Sequence, residues 1–84
     1  MRTKTAVELA RVRALAGNGE ARRLRVEIGR LSLSEVAAVV GVSPVSVWRW
    51  EHGVKRPHGR PALRYLRLLE SLAQEEVTTN GRAR

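Results

Sequence analysis

The sequence predicts an all-α fold, a compact bundle of about five helices, on three observations. Apolar residues recur at intervals of three and four along most of the chain, as the inner face of a helix requires. Serine and glycine punctuate these stretches where caps belong, with Ser32 and Ser43 at starts and Gly17, Gly41 and Gly53 at ends. No segment shows the strict apolar–polar alternation of a half-buried strand. At 84 residues the chain suits a single domain, 1–84, since a domain of this size hides only about 60% of its surface on folding.

Taken in order, Met1 to Lys4 reads as a short basic arm. Residues 5–16 then form an N-terminal extra helix, with Leu9, Val12 and Leu15 or Ala16 on one stripe and Arg11 and Arg13 outside it. Gly17-Asn18-Gly19 ends it. Its role is open between packing on the core, pairing with a second subunit and reaching a partner, and core packing is favoured. Glu20 to Arg30 is the next helix, with Ala21, Leu24 and Ile28 inward.

Residues 32–57 carry the densest signals. Ser32 can cap a helix with its hydroxyl while Glu35 reaches back to the Ser32 amide, so a helix starts there. Val36, Ala37 and Val40 share one face, and Ala37 is small enough for a second helix to approach closely. Gly41 accepts a left-handed backbone and ends the helix, which makes Gly41-Val42-Ser43 the turn. Ser43 caps the second helix and Pro44 fills its first position, where a missing N–H is no loss. Val47 and Trp50 face inward. The outward face is then Pro44, Val45, Ser46, Trp48, Arg49 and His52, an unusual mixture for a merely solvated surface. Gly53 stops the helix and Pro57 prevents it from resuming. Two short helices joined by one tight turn make a helix-turn-helix.

After the link His58-Gly59-Arg60-Pro61, a C-terminal helix over 60–74 presents Ala62, Tyr65, Leu66, Leu69, Leu72 and Ala73 as a wide apolar face, widened by Leu63 and Leu68. Residues 75–84 are polar and read as a frayed tail.

In this setting 32–57 resembles the lambda-repressor-like, or Cro-type, helix-turn-helix family. The residues that carry the likeness are Ser32, Val36, Ala37, Gly41, Val42, Ser43, Val47, Trp50, Glu51, Gly53 and Pro57. One departure is Leu33, which stands where the family commonly has a glutamine that helps to fix the DNA backbone. That contact is therefore not carried over. The resemblance implies a sequence-specific regulator of transcription that binds double-stranded DNA, most simply a phage or prophage repressor acting by occlusion of a promoter. Two alternatives share the motif: an antitoxin or adaptor protein, and an excisionase-like architectural factor. Against the latter, the segment after the motif reads as a helix and not as a two-stranded wing.

Composition agrees with a polyanionic partner. Sixteen Lys and Arg stand against eight Glu, a net charge of +8, and Arg49, Lys55, Arg56, Arg60, Arg64 and Arg67 crowd the motif and the segment after it. In a major groove, Pro44, Val45, Ser46, Trp48 and Arg49 are the expected base contacts. Arg49 suits the O6 and N7 of guanine, while Pro44 and Val45 suit thymine methyl groups. Trp48 either packs on a thymine methyl or sugar, or packs back onto the protein. Ser43, His52, Lys55, Arg56 and Arg60 are the expected phosphate contacts.

Several functions are excluded or unsupported. The chain has no cysteine and no aspartate, and neither paired carboxylates nor a phosphate-binding glycine loop. No catalytic residue, metal site, cofactor or small-molecule ligand is expected, and His52 and His58 are too isolated to hold a metal. Lacking a disulfide, a signal sequence and an apolar run of about 20 residues, the protein is expected to be soluble and cytoplasmic. The apolar face of the C-terminal helix leaves two options open, a homodimer through that helix or completion of a small core, and an exposed Leu63 and Leu68 side would mark the dimer contact.

Overall fold

Caps and turns set the helix boundaries. In the computed structural model, which describes residues 1–82, α1 spans Thr3–Gly17, α2 Glu20–Arg23, α3 Leu33–Val40, α4 Pro44–Glu51 and α5 Gly59–Arg82. A π-helical segment, Leu24–Gly29, continues directly from α2. No strand occurs among the described residues. The all-α expectation therefore holds.

The capping box at the start of α3 is formed in both directions: the Glu35 amide donates to Ser32 Oγ at 3.0 Å, and the Ser32 amide donates to Glu35 Oε1 at 2.9 Å. Because its carboxylate accepts the Ser32 amide hydrogen, Glu35 titrates below the ordinary carboxylate range. Gly41 comes next in the left-handed region with φ of 85°. A Cβ there would lie 3.1 Å from Arg64 Nη1, whose guanidinium donates to the Val40 carbonyl at 3.2 Å. Glycine is thus favoured by backbone sign, and a Cβ here would also have to displace the Arg64 guanidinium by a few tenths of an ångström.

Every long helix contributes to one core. Leu9, Val12 and Ala16 enter it from α1, Ala21 and Leu24 from α2 and the π segment, Val36, Ala37 and Val40 from α3, Val47 and Trp50 from α4, and Ala62, Tyr65, Leu66 and Leu69 from α5. The N-terminal helix is thus part of the core. It also tethers a distant segment, because Arg13 Nε donates to the Pro57 carbonyl at 2.9 Å and ties down the chain that leaves α4.

Three sequence expectations are corrected. Glu20 to Arg30 is not one α-helix, since the backbone widens into a π-helix from Leu24 and stops at Arg30 with φ of 51°. Gly29 lies so close to α5 that a Cβ would stand 2.9 Å from Leu72 Cδ2, a close approach that periodicity cannot reveal. The basic arm at Met1 to Lys4 is helical from Thr3. Finally, the frayed tail expected over 75–84 is helix as far as Arg82, with residues 83 and 84 outside the described residues. Here the Arg23 guanidinium donates from Nη1 and Nη2 to the two oxygens of Glu76 at 2.7 and 2.9 Å, which fastens the far end of α5 to α2. Arg23 also bonds Glu20.

The hydrogen bonds from Arg23 hold Glu76 below the ordinary carboxylate range, as the Ser32 amide does for Glu35. A lowered folded-state value means stability that is complete above the ordinary carboxylate range and is lost as pH falls through the folded value. Acid titration of unfolding should show that loss, and Glu35→Gln and Glu76→Gln should each flatten it. An unchanged acid limb in both variants would contradict the assignment.

Candidate nucleic-acid interface

Two inward anchors fix α4, and a third, electrostatic one fixes its end. Val47 is fully buried, and Trp50 lies against Tyr65 with ring centroids 4.9 Å apart. Glu51, the last residue of α4, has a side chain only 1% exposed. Arg25 of the π segment meets it in a two-pronged pair, Nε to Oε2 at 2.6 Å and Nη2 to Oε1 at 2.9 Å, while Nη1 donates to the Leu31 carbonyl at 3.0 Å. Hydrogen bonding to Glu51 raises the Arg25 pKa above its usual value.

With those residues turned inward, Pro44, Val45, Trp48, Arg49 and His52 form one exposed face of α4. These positions match the spacing of a single helical stripe. Arg49 makes no ion pair among the described residues. Trp48 stays 43% exposed, and the flat of its ring stacks on His52, centroids 4.0 Å apart and planes 17° from parallel. One indole face is thus covered by the protein, as the second expectation for Trp48 has it, while the ring remains on the outer surface.

Two expected contacts sit differently. Ser46 lies four residues before Trp50 and is only half-exposed, at the edge of the inward face and not on the outward stripe. Its amide donates to Ser43 Oγ at 3.3 Å and the two hydroxyls are 3.1 Å apart, so both serines serve the start of α4. His52 Nδ1 donates to the Trp48 carbonyl at 2.8 Å, which commits one ring nitrogen to the helix end.

Further cations follow this face in the chain. Lys55, Arg56 and Arg60 are exposed on the segment after α4 and at the start of α5, and none is ion-paired among the described residues. Arg60, Arg64 and Arg67 line a shallow groove with Leu63. By contrast, the carboxylates of Glu20, Glu51, Glu70 and Glu76 are each engaged by an arginine of α1, α2 or the π segment. The stretch from Arg49 to Arg67 therefore carries six cations and one carboxylate, that of Glu51, which Arg25 engages.

The sequence marks no positioning role for Arg25, Arg13 and Arg64, which tie α4 and its neighbours in place. Their long-range partners lie between 24 and 44 residues away in sequence, and no local pattern marks them. Leu63 and Leu68 are half-buried and packed on the core, so α5 does not present the exposed Leu63 and Leu68 side on which a dimer contact was expected. Among the described residues no cluster of His and Glu could hold a metal, and no helix is long and apolar enough to cross a membrane. Compared with known protein families, curated proteins and solved structures, the chain finds no match.

Removing one partner of a buried pair strands the other charge. Glu51→Ala should lower unfolding stability by about 3 kcal/mol, measured by urea denaturation. A change within about 0.5 kcal/mol, the range of ordinary surface substitutions, would show that Arg25 does not depend on it.

Proposed function

We propose that the chain is a sequence-specific, double-stranded-DNA-binding regulator that reads the major groove with α4. The observation that carries this reading is the exposed stripe of Pro44, Val45, Trp48, Arg49 and His52 on a rigidly anchored helix, flanked by the unpaired cations Lys55, Arg56 and Arg60. A protein of net charge +8 has an electrostatic reason to approach a duplex. A helix preceded by a tight turn and offering one polar fork among apolar groups has a chemical reason to choose a sequence on it.

In this reading Arg49 recognises guanine through a bidentate contact, and Pro44, Val45 and Trp48 supply the apolar part of the footprint. Lys55, Arg56 and Arg60 bind phosphate, giving affinity and salt dependence without sequence information. Ser43 and Ser46 order the start of α4, whose amides remain near the phosphate backbone. The simplest mode of action is occupancy: a bound promoter is closed to polymerase, as with the small Cro-type repressors of phages and prophages, in the cytoplasm where that DNA lies. The packing of Leu63 and Leu68 on the core favours one chain per recognised site over a two-fold pair built on α5. The helical course of α5 weighs against an excisionase-like winged factor.

Selection of bound sequences from random duplex DNA, with stoichiometry measured on the selected site, tests the reading. A defined consensus supports it, a palindrome holding two chains would replace the single-chain form by a dimer, and absence of enrichment would move the protein to the adaptor class. On the selected site, Arg49→Ala should lose discrimination worth about 1–3 kcal/mol while sparing non-specific binding; equal loss on both would make Arg49 a phosphate contact. Arg56→Ala should weaken binding to every sequence alike and reduce the salt slope by about one unit. An unaltered slope would remove Arg56 from the interface.

A further inference from the structure

Trp48 and His52 are held together by two independent contacts. The imidazole lies flat beneath the indole at 4.0 Å, and its Nδ1 donates to the carbonyl of the same Trp48 at 2.8 Å. The histidine is thereby fixed at both its face and its edge. An exposed tryptophan would ordinarily sample several rotamers, and any partner that needed one of them would have to supply the ordering free energy. Here that ordering is already supplied within the folded chain.

The fixed ring presents an apolar surface. One indole face is covered by His52, while the rest remains 43% exposed on the stripe that also carries Val45, itself 53% exposed, and Pro44. Val45 precedes Trp48 by three positions and Pro44 by four, the spacing that makes helical neighbours. The three side chains thus form a single apolar patch beside Arg49. Among the base edges of the major groove, one group matches such a patch, the 5-methyl of thymine.

We infer that Trp48 is a thymine-methyl reader and that His52 is its positioning residue, acting through the indole and not by binding phosphate. This rests on the DNA-binding reading above. It gives His52 a different role from the phosphate contact that its place in the sequence suggested. Recognition at this end of α4 then has two chemistries side by side, a methyl against the Trp48 patch and a guanine edge against Arg49.

The test uses the full chain and the duplex obtained by selection, in which each thymine facing α4 is replaced in turn by uracil, so that only the methyl is lost. For the wild-type chain one such replacement should weaken binding about fourfold, the value of one buried methyl-sized group. Trp48→Ala should abolish that preference. His52→Ala should abolish it as well, with the salt slope unchanged, and His52→Phe should restore it, because phenylalanine keeps the stacked ring without the imidazole nitrogens. Sequence-specific binding that is indifferent to every thymine methyl would overturn the inference and leave the DNA-binding reading intact. So would a His52→Ala chain that keeps the methyl preference, and a salt slope lower by about one unit in that chain would make His52 a phosphate contact. Failure of the wild-type chain to prefer any sequence would overturn both.

Discussion

The ion pair between Arg25 and Glu51 is the constraint on which the presentation of α4 depends. Two short helices and a turn do not fix their own outer surface, because α4 is only eight residues long and a helix of that length is marginal by itself. Val47 and Trp50 set which side faces the core, but apolar contacts alone permit a helix to roll. A two-pronged guanidinium–carboxylate contact at the last residue of α4 is directional, and burial makes any misalignment expensive. Close by, the Tyr65 hydroxyl is buried with no hydrogen-bond partner among the described residues, and burial pushes its titration upward. With the Glu51 side chain only 1% exposed, solvent screens the pair weakly, which strengthens its directional effect.

Charge is divided between two roles. Glu51, Glu70 and Glu76 draw arginines of the N-terminal half onto α4 and α5, and Glu35 closes the start of α3. Most of the negative charge consequently serves architecture. Among the cations without carboxylate partners in the described residues, Arg49, Lys55, Arg56, Arg60, Arg64 and Arg67 share one stretch of chain, on and after α4. The same pairing that joins the helices thus engages Glu51, the one acidic residue between Arg49 and Arg67, and leaves that stretch basic.

The parts legible in the sequence were those that local chemistry determines. Ser32 with Glu35, Gly41, and Ser43 with Pro44 each specify a helix end through bonds within four residues, and all three ends lie where those residues place them. Trp50 in the core and Arg49 on the outside agree with helical spacing. The π-helical segment was illegible, because a 3.6-residue period is assumed when apolar positions are assigned, and the close approach of Gly29 to Leu72 involves a residue far along the chain. The helical end of α5 was illegible for a similar reason. Residues 75–79 are polar or exposed for the most part, and the contact that fastens them, Arg23 to Glu76, spans 53 positions. In the candidate site, exposure of Arg49 and His52 could be inferred, whereas the inward lean of Ser46 and the ring stacking of His52 depend on side-chain rotamers.

The two tryptophans stand two residues apart in sequence and in opposite surroundings. Trp50 is enclosed beside Tyr65 in the core, and Trp48 lies on the outer surface over His52. The molecule thereby contains a matched pair of native fluorophores with separate fields of view. The enclosed indole emits from an apolar medium until the core opens, while the outer one emits from a half-wet surface that any ligand seated on α4 must alter. Folding and occupancy are therefore optically separable in the unlabelled chain once each tryptophan is replaced in turn.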